Sequence, residues 1–141
     1  MFLKIKYYFC IKLTICEPKP IKMMKTILVA EDNDSNYILM TYILKRNYQY
    51  KRARNGQEAV DLVNEGGIDL VLMDIKMPVM NGLEATKAIK ERFPDLPVVA
   101  LTANAFDSDR QLALDSGCDE FLAKPINSAK CLEVINRLIG E

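Results

Sequence analysis

Four short apolar runs in this sequence each end on polar residues able to hold a cation and an oxyanion. Thr26 to Ala30 stops at Glu31-Asp32, Leu70 to Met73 at Asp74, Pro97 to Leu101 at Thr102, and Glu120 to Ala123 at Lys124-Pro125. Should the runs be parallel strands of one open sheet, their C-terminal ends border a single crevice, the usual ligand site of such sheets. Three carboxylates, a hydroxyl and an ammonium then meet there. Crowded carboxylates repel one another and hold raised pKa values until something neutralises them. Lys124 offsets one charge. A divalent cation offsets more, and an all-oxygen donor set favours Mg²⁺ or Mn²⁺ over softer metals.

What the chain lacks narrows the chemistry further. It has no histidine, so it cannot by itself build a Ser-His-Asp triad, a Cys-His pair, a His-ligated zinc site or a histidine general base. Lys+Arg and Asp+Glu balance at 19 each. That leaves no basic excess to suggest nucleic acid or an anionic membrane surface as partner. The four cysteines, Cys10, Cys16, Cys118 and Cys131, form no C-x-x-C pair and read as small buried thiols in a reducing, cytoplasmic compartment. A Cys10–Cys16 disulfide is the alternative, with nothing to support it.

The elements that position these residues follow from periodicity. After the first strand, Asn36, Leu39, Met40, Ile43 and Leu44 recur at helical spacing, behind acidic and Ser/Asn residues that suit a helix start. Tyr50 to Arg54 is a weaker strand, suited to a sheet edge. Asn55-Gly56 punctuates; Ala59, Val60 and Val63 share a helical face, which Gly66-Gly67 ends. Leu83, Thr86, Ile89 and Phe93 form the next stripe. Ala105 to Ser116 is helical in composition and stops at Gly117. Asn127 or Ser128 caps a last helix with Leu132, Ile135, Leu138 and Ile139 on one face. Five strands alternating with five helices predict an α/β domain: a doubly wound, flavodoxin-like (βα)5 fold with a five-stranded parallel sheet in order 2-1-3-4-5.

Residues 1–24 stand apart from this domain, which runs over 25–141. Tyr7, Phe9, Ile11, Leu13 and Ile15 alternate as in a strand, and Glu17-Pro18-Lys19-Pro20 reads as a linker. Lys4, Lys6 and Lys12 interrupt the apolar stretch, so neither a membrane span nor a secretory signal is expected.

The segments ILVAEDN (Ile27 to Asn33), LVLMDIKMPVMNG (Leu70 to Gly82), VVALTAN (Val98 to Asn104) and DEFLAKPI (Asp119 to Ile126) together resemble the receiver domain of two-component response regulators. The resemblance covers Lys25 to about Ile139. It implies that Asp74 accepts a phosphoryl group as an aspartyl phosphate, and that Asp32, Asp74 and the Lys76 carbonyl ligate Mg²⁺, with Glu31 acting through a water. Lys124, the Thr102 hydroxyl and the Ala103 N–H would bind phosphoryl oxygens. Thr102, Phe121 and a cis Lys124-Pro125 bond would form the switch that remodels a protein-binding face. The phosphoryl donor would be a histidine kinase or histidine phosphotransfer protein, supplying the histidine this chain lacks, and output would run through a downstream protein target.

Two departures from the family pattern stand out. Glu31 replaces a common aspartate, and Phe121 a common tyrosine. The alternating strand before the proline linker is similar to the closing strand of a kinase ATP-binding domain, so the chain is read either as part of a hybrid histidine kinase or as starting in practice at Met23 or Met24.

Plainer readings compete at each position. Glu31 and Asp32 could serve only the dipole of the first helix, Thr102 its own backbone, Lys124 solvent, and Phe121 the core; Met73, Met77 and Met80 read as packing, and Tyr37 and Tyr42, which could belong to a partner-docking surface, could equally be scattered surface tyrosines. For the whole chain, the alternative is an aspartate-nucleophile Mg²⁺-dependent phosphatase of the haloacid-dehalogenase type. Such an enzyme wants a second aspartate two residues after the nucleophile, where this chain has Lys76.

Overall fold

A computed structural model of the chain describes residues 24–103 and 107–140, without the side chains of residues 107 and 108. The strand-and-linker reading of the first two dozen residues lies outside that range. Strands β1 (Thr26–Ala30), β2 (Gln49–Ala53), β3 (Leu70–Asp74), β4 (Val98–Thr102) and β5 (Glu120–Ala123) alternate with helices α1 (Asp34–Leu44), α2 (Gly56–Glu65), α3 (Gly82–Arg92), α4 (Asp107–Asp115) and α5 (Ser128–Ile139). All strand pairs are parallel, in the order β2-β1-β3-β4-β5. The doubly wound sheet expected from the sequence is therefore the fold observed. Among the described residues, no helix is long and apolar enough to cross a membrane.

Strands covered on both faces are apolar up to their last residue, and every residue of β3 and β4, the terminal Asp74 and Thr102 included, is buried. Successive side chains still go to opposite faces. Ile27, Val29, Leu70, Leu72, Leu101 and Leu122 pack with Met40, Leu44, Cys131 and Ile135 from α1 and α5. Leu28, Ala30, Val71, Met73, Val98 and Ala100 pack with Ala59, Val63, Ala85, Ile89 and Ala113 from α2, α3 and α4. Continued to the strand ends, this alternation sends Asp74 and Lys124 toward the α1/α5 side and Thr102 toward the other.

Four of the helices start on asparagine. Asn33, Asn55, Asn81 and Asn127 each accept, through the side chain, the backbone N–H three residues later, satisfying one of the orphan donors of the first turn. Asn81 and Glu84 complete a reciprocal capping box. Asn55-Gly56, expected as loop punctuation, is thus a helix start, with Gly56 the first helical residue. Gly56 and Gly82 hold equivalent places in α2 and α3 because both press on backbone. A Cβ on Gly56 would run into the Met80 carbonyl oxygen, and one on Gly82 into the carbonyl oxygen of Asp74.

Between β3 and α3 the chain carries its one non-glycine residue at positive φ among those described, Val79, at 70° and 84 % exposed. A β-branched residue pays the left-handed penalty in full. Val79→Gly is accordingly expected to raise stability by roughly 1 kcal/mol, after allowance for the greater unfolded-state entropy of glycine. An unchanged or lower urea midpoint would contradict it.

The opposite rim of the sheet is tied by charge. Lys90 of α3 donates to the carbonyls of Pro94 and Leu96 and to Asp119 at 2.8 Å, while Asp119 also accepts the Val98 N–H. Those contacts fix where β4 begins, and so the position of Thr102 at its other end.

Candidate functional site

At the C-terminal rim, Glu31, Asp32 and Asp74 each offer a carboxylate oxygen, and these atoms lie within 4.8 Å of one another. The Lys124 ammonium sits 3.1 Å from Glu31 Oε1 and 3.3 Å from Asp74 Oδ2. Glu31 is 1 % exposed and Asp74 6 %, whereas Asp32 faces solvent. The three acids and Lys124 border a cleft of about 300 Å³, together with Lys76, Thr102, Ala103 and Asp109. Four strand ends brought these groups together from across the chain, because parallel winding puts every strand's C-terminus on one side.

Backbone bonds hold the rim in place. Glu31 N–H donates to the Ala53 carbonyl at 2.9 Å and Ile75 N–H to that of Leu101 at 3.2 Å; Lys124 N–H donates to the Thr102 carbonyl at 2.7 Å. The loop after β3 folds back so that the Lys76 N–H donates to Asp74 Oδ1 at 3.3 Å. The Lys124–Pro125 peptide is cis. Behind Lys124 lies a chamber of about 50 Å³ lined by Glu31, Asn36, Leu39 and Pro125.

Burial pushes the Asp74 carboxyl up from 3.8 to about 6. Hydrogen bonding to Glu31 and its charge act in the same direction, and Lys124 opposes them. Burial pulls the Lys124 ammonium down, but the Glu31 hydrogen bond and the charges of Asp74 and Glu31 outweigh it, so the net shift is upward. One ammonium therefore incompletely neutralises three acids. A second cation fits: the donors are all oxygen, they converge, and the buried carboxylate among them ionises reluctantly without further positive charge.

Phe121 and Pro125 stand apart from the cleft. Phe121 is half-buried on the α2–α4 side of the sheet, with the Arg110 guanidinium 5.1 Å from its ring centroid. Met73 is buried and Met77 and Met80 pack on the same core, as their packing reading expected. Cys118 and Cys131 are buried free thiols, and burial pushes the Cys131 thiol up to about 11.

Two residues of the rim escaped the reading of the sequence. Asp109, in the first turn of α4, adds an acid to the cleft lining. Arg52 of β2 donates to the Glu31 carbonyl at 3.1 Å and pairs with Asp34 at 2.8 Å. Arg52 and Arg54 both hold the Asp34 carboxyl below the usual carboxylate range, Arg52 contributing more. A charged residue on an edge strand signals solvent in a sequence; only the sheet register shows which loop it meets.

A doubly wound parallel sheet with clustered acids and a lysine at its C-terminal rim defines a class of α/β domain that binds ligands at that edge. Comparison with known proteins narrows the class to one family. The family model described as "Response regulator receiver domain" matches residues 27–136, and the chain belongs to that family. The polar-differentiation response regulator DivK of Brucella anthropi is 37 % identical over 122 residues, covering 84 % of this chain and 99 % of that protein. The receiver domain of the sensor histidine kinase PA1611 from Pseudomonas aeruginosa PAO1, solved with a magnesium ion coordinated in its active-site cleft, is similar at 34 % identity and a TM-score of 0.78, covering 84 % of this chain and 99 % of that one. A chain in the co-crystal structure of the Saccharomyces cerevisiae histidine phosphotransfer protein Ypd1 with the receiver domain of its downstream response regulator Ssk1 is similar at 34 % identity and a TM-score of 0.77, covering 82 % and 88 %.

Proposed function

We propose that this receiver domain takes a phosphoryl group from the phosphohistidine of a histidine kinase or histidine phosphotransfer protein onto Asp74, in the cytoplasm, with Mg²⁺ held by Asp32, Asp74 and the Lys76 carbonyl and Glu31 acting through a water. The observation that carries this reading is the Lys124 ammonium poised within 3.3 Å of both Glu31 and Asp74 at the floor of an open acidic cleft. An Asp74 carboxylate oxygen attacks phosphorus, the P–N bond to the partner's imidazole breaks, and that nitrogen keeps the electron pair. No general base is required, since Asp74 attacks as the carboxylate. Lys124 pairs with one phosphoryl oxygen, and the Thr102 hydroxyl and Ala103 N–H donate to others. Bound Mg²⁺ supplies neutralisation of the charge that gathers on these oxygens. Manganese, with similar oxygen preference, is the expected substitute.

The phosphoryl group adds negative charge and acceptors beside Thr102. Drawing Thr102 toward it frees room on the α2–α4 side of β4 and β5, into which Phe121 turns, giving up its stacking with Arg110 and altering the face that a downstream protein reads. Ile38, Leu39 and Tyr42 on α1 are large exposed apolar side chains, Leu39 lining the chamber behind Lys124, and suit a helical partner carrying the histidine.

Transfer tests the proposal. A phosphohistidine-bearing phosphotransfer protein, mixed with the full chain and Mg²⁺, is expected to pass its label to this chain, and Asp74→Asn is expected to leave the label on the donor; label retained on the donor by the wild type would overturn the reading. Protons and cations also compete for Asp74. Mg²⁺ affinity is therefore expected to hold above about pH 6 and to weaken up to about tenfold per unit below it. A flat affinity between pH 5 and pH 8 (assay conditions of roughly that span) would contradict the raised carboxyl.

A further inference from the structure

We propose that Arg52 is a positioning residue for Asp32, holding the turn that presents this acid to Mg²⁺; the inference rests on the reading of the acid cluster as a Mg²⁺ site. β2 is the sheet edge, and its register sets Arg52 opposite Val29 and Ala53 opposite Ala30. The Arg52 side chain therefore stands beside the exit of β1. It is 14 % exposed, unusually covered for an arginine on an edge strand.

The guanidinium makes three contacts in one place. Its Nε donates to the Glu31 carbonyl at 3.1 Å, a terminal nitrogen lies 2.8 Å from Asp34 Oδ1, and its carbon sits 4.5 Å from the Tyr37 ring centroid. Glu31 and Asp34 flank Asp32 and Asn33. One rigid planar group thus grips both ends of the four-residue turn that carries Asp32, which a point-charge ammonium cannot do. Asn33 is fixed separately as the cap of α1. The other terminal nitrogen of Arg52 is buried with no hydrogen-bond partner among the described residues. An unsatisfied buried donor is costly, so the guanidinium is not placed where its own bonding is best; it is placed where it reaches the turn.

Arg54 provides an internal comparison. It also reaches Asp34, at 3.3 Å, but its side chain is 59 % exposed and its partner is only one end of the turn. Charge and geometry make opposite predictions at Arg52. A cation beside an acidic site repels Mg²⁺, so if charge alone mattered its removal would tighten binding. If the grip on the turn matters, removal weakens binding.

The experiment is Mg²⁺ titration calorimetry on the full chain at pH 7.5, well below the melting temperature of each variant, with melting in EDTA recorded separately. Arg52→Met is expected to bind Mg²⁺ about tenfold more weakly, the scale of losing a group that orients a metal ligand, and Arg54→Met within about twofold of wild type. Arg52→Lys restores the charge without the two-ended grip and is expected not to rescue; it decides the matter on the same criterion if Arg52→Met does not fold. A lower melting temperature with unchanged or tighter Mg²⁺ binding would overturn the positioning role. Absence of Mg²⁺ binding by the wild type would instead remove the metal site, and the proposal with it.

Discussion

Asp74→Asn is expected to abolish phosphoryl acceptance and, in EDTA at pH 7.5, to make the protein more stable than the wild type. The two effects share a cause. Asp74 is buried beside Glu31, and its carboxyl titrates at about 6 instead of 3.8. The folded state therefore holds the Asp74 proton more tightly than the unfolded chain does. Stability from this group is fully present below about pH 4 and is lost as pH rises through about 6. At pH 7.5 the wild type carries the whole cost, roughly 3 kcal/mol for a carboxyl raised from 3.8 to about 6, and a neutral amide avoids it. Saturating Mg²⁺ should close the gap by stabilising the wild type, by about 2.7 kcal/mol at a hundredfold excess over Kd. Thermal melts of both proteins with EDTA and with Mg²⁺ check the pair. A destabilised Asp74→Asn in EDTA would show that Asp74 is a structural carboxylate, fully compensated by Lys124.

Gly82→Ala is expected to cost roughly 3 kcal/mol and to weaken Mg²⁺ binding as well. Gly82 opens α3, and its N–H donates to the Ile75 carbonyl at 2.8 Å. The added methyl would meet the Asp74 carbonyl oxygen and come within 2.8 Å of Ile75 Cα. Both are backbone atoms, so no rotamer change relieves the clash. Either the capped first turn of α3 shifts, undoing the Asn81–Glu84 box, or the Asp74–Ile75 backbone moves and takes the Asp74 carboxylate with it. A fall in melting temperature on the order of 10 °C is anticipated. Wild-type stability in Gly82→Ala would mean that the close approach is not needed.

The parallel sheet was legible because its inner strands are buried on both faces and so appear as unbroken apolar runs. Convergence of Glu31, Asp32, Asp74, Thr102 and Lys124 on one rim followed from winding alone. β2 was harder: Tyr50, Lys51 and Arg52 carry no strong pattern, since an edge strand needs burial on only part of its surface. The helix faces were less legible still. Leu39, counted with the core stripe of α1, is 41 % exposed beside the chamber behind Lys124. In α5 the buried side chains are Cys131, Val134 and Ile135, while Leu132, Leu138 and Ile139 only flank them; a helix of 3.6-residue period fits either stripe until its packing partner is known. Residues 104 to 106, where α4 was expected to begin, lie outside the described range. Within the site, the pairing of Lys124 with Glu31 spans 93 positions and the bond from Arg52 to Glu31 spans 21. Residue types forecast such meetings only at strand ends, where topology dictates them; a side chain that crosses from an edge strand leaves no periodic trace.

Mass spectrometry of the full chain after exposure to acetyl phosphate, with and without Mg²⁺, bears most directly on the acid cluster as a phosphoryl-accepting centre. One phosphoryl group, labile to base and to hydroxylamine, mapped to the peptide containing Asp74 and formed only with the cation, is the predicted result. A group mapped to any other residue, or the same modification in Asp74→Asn, would contradict it.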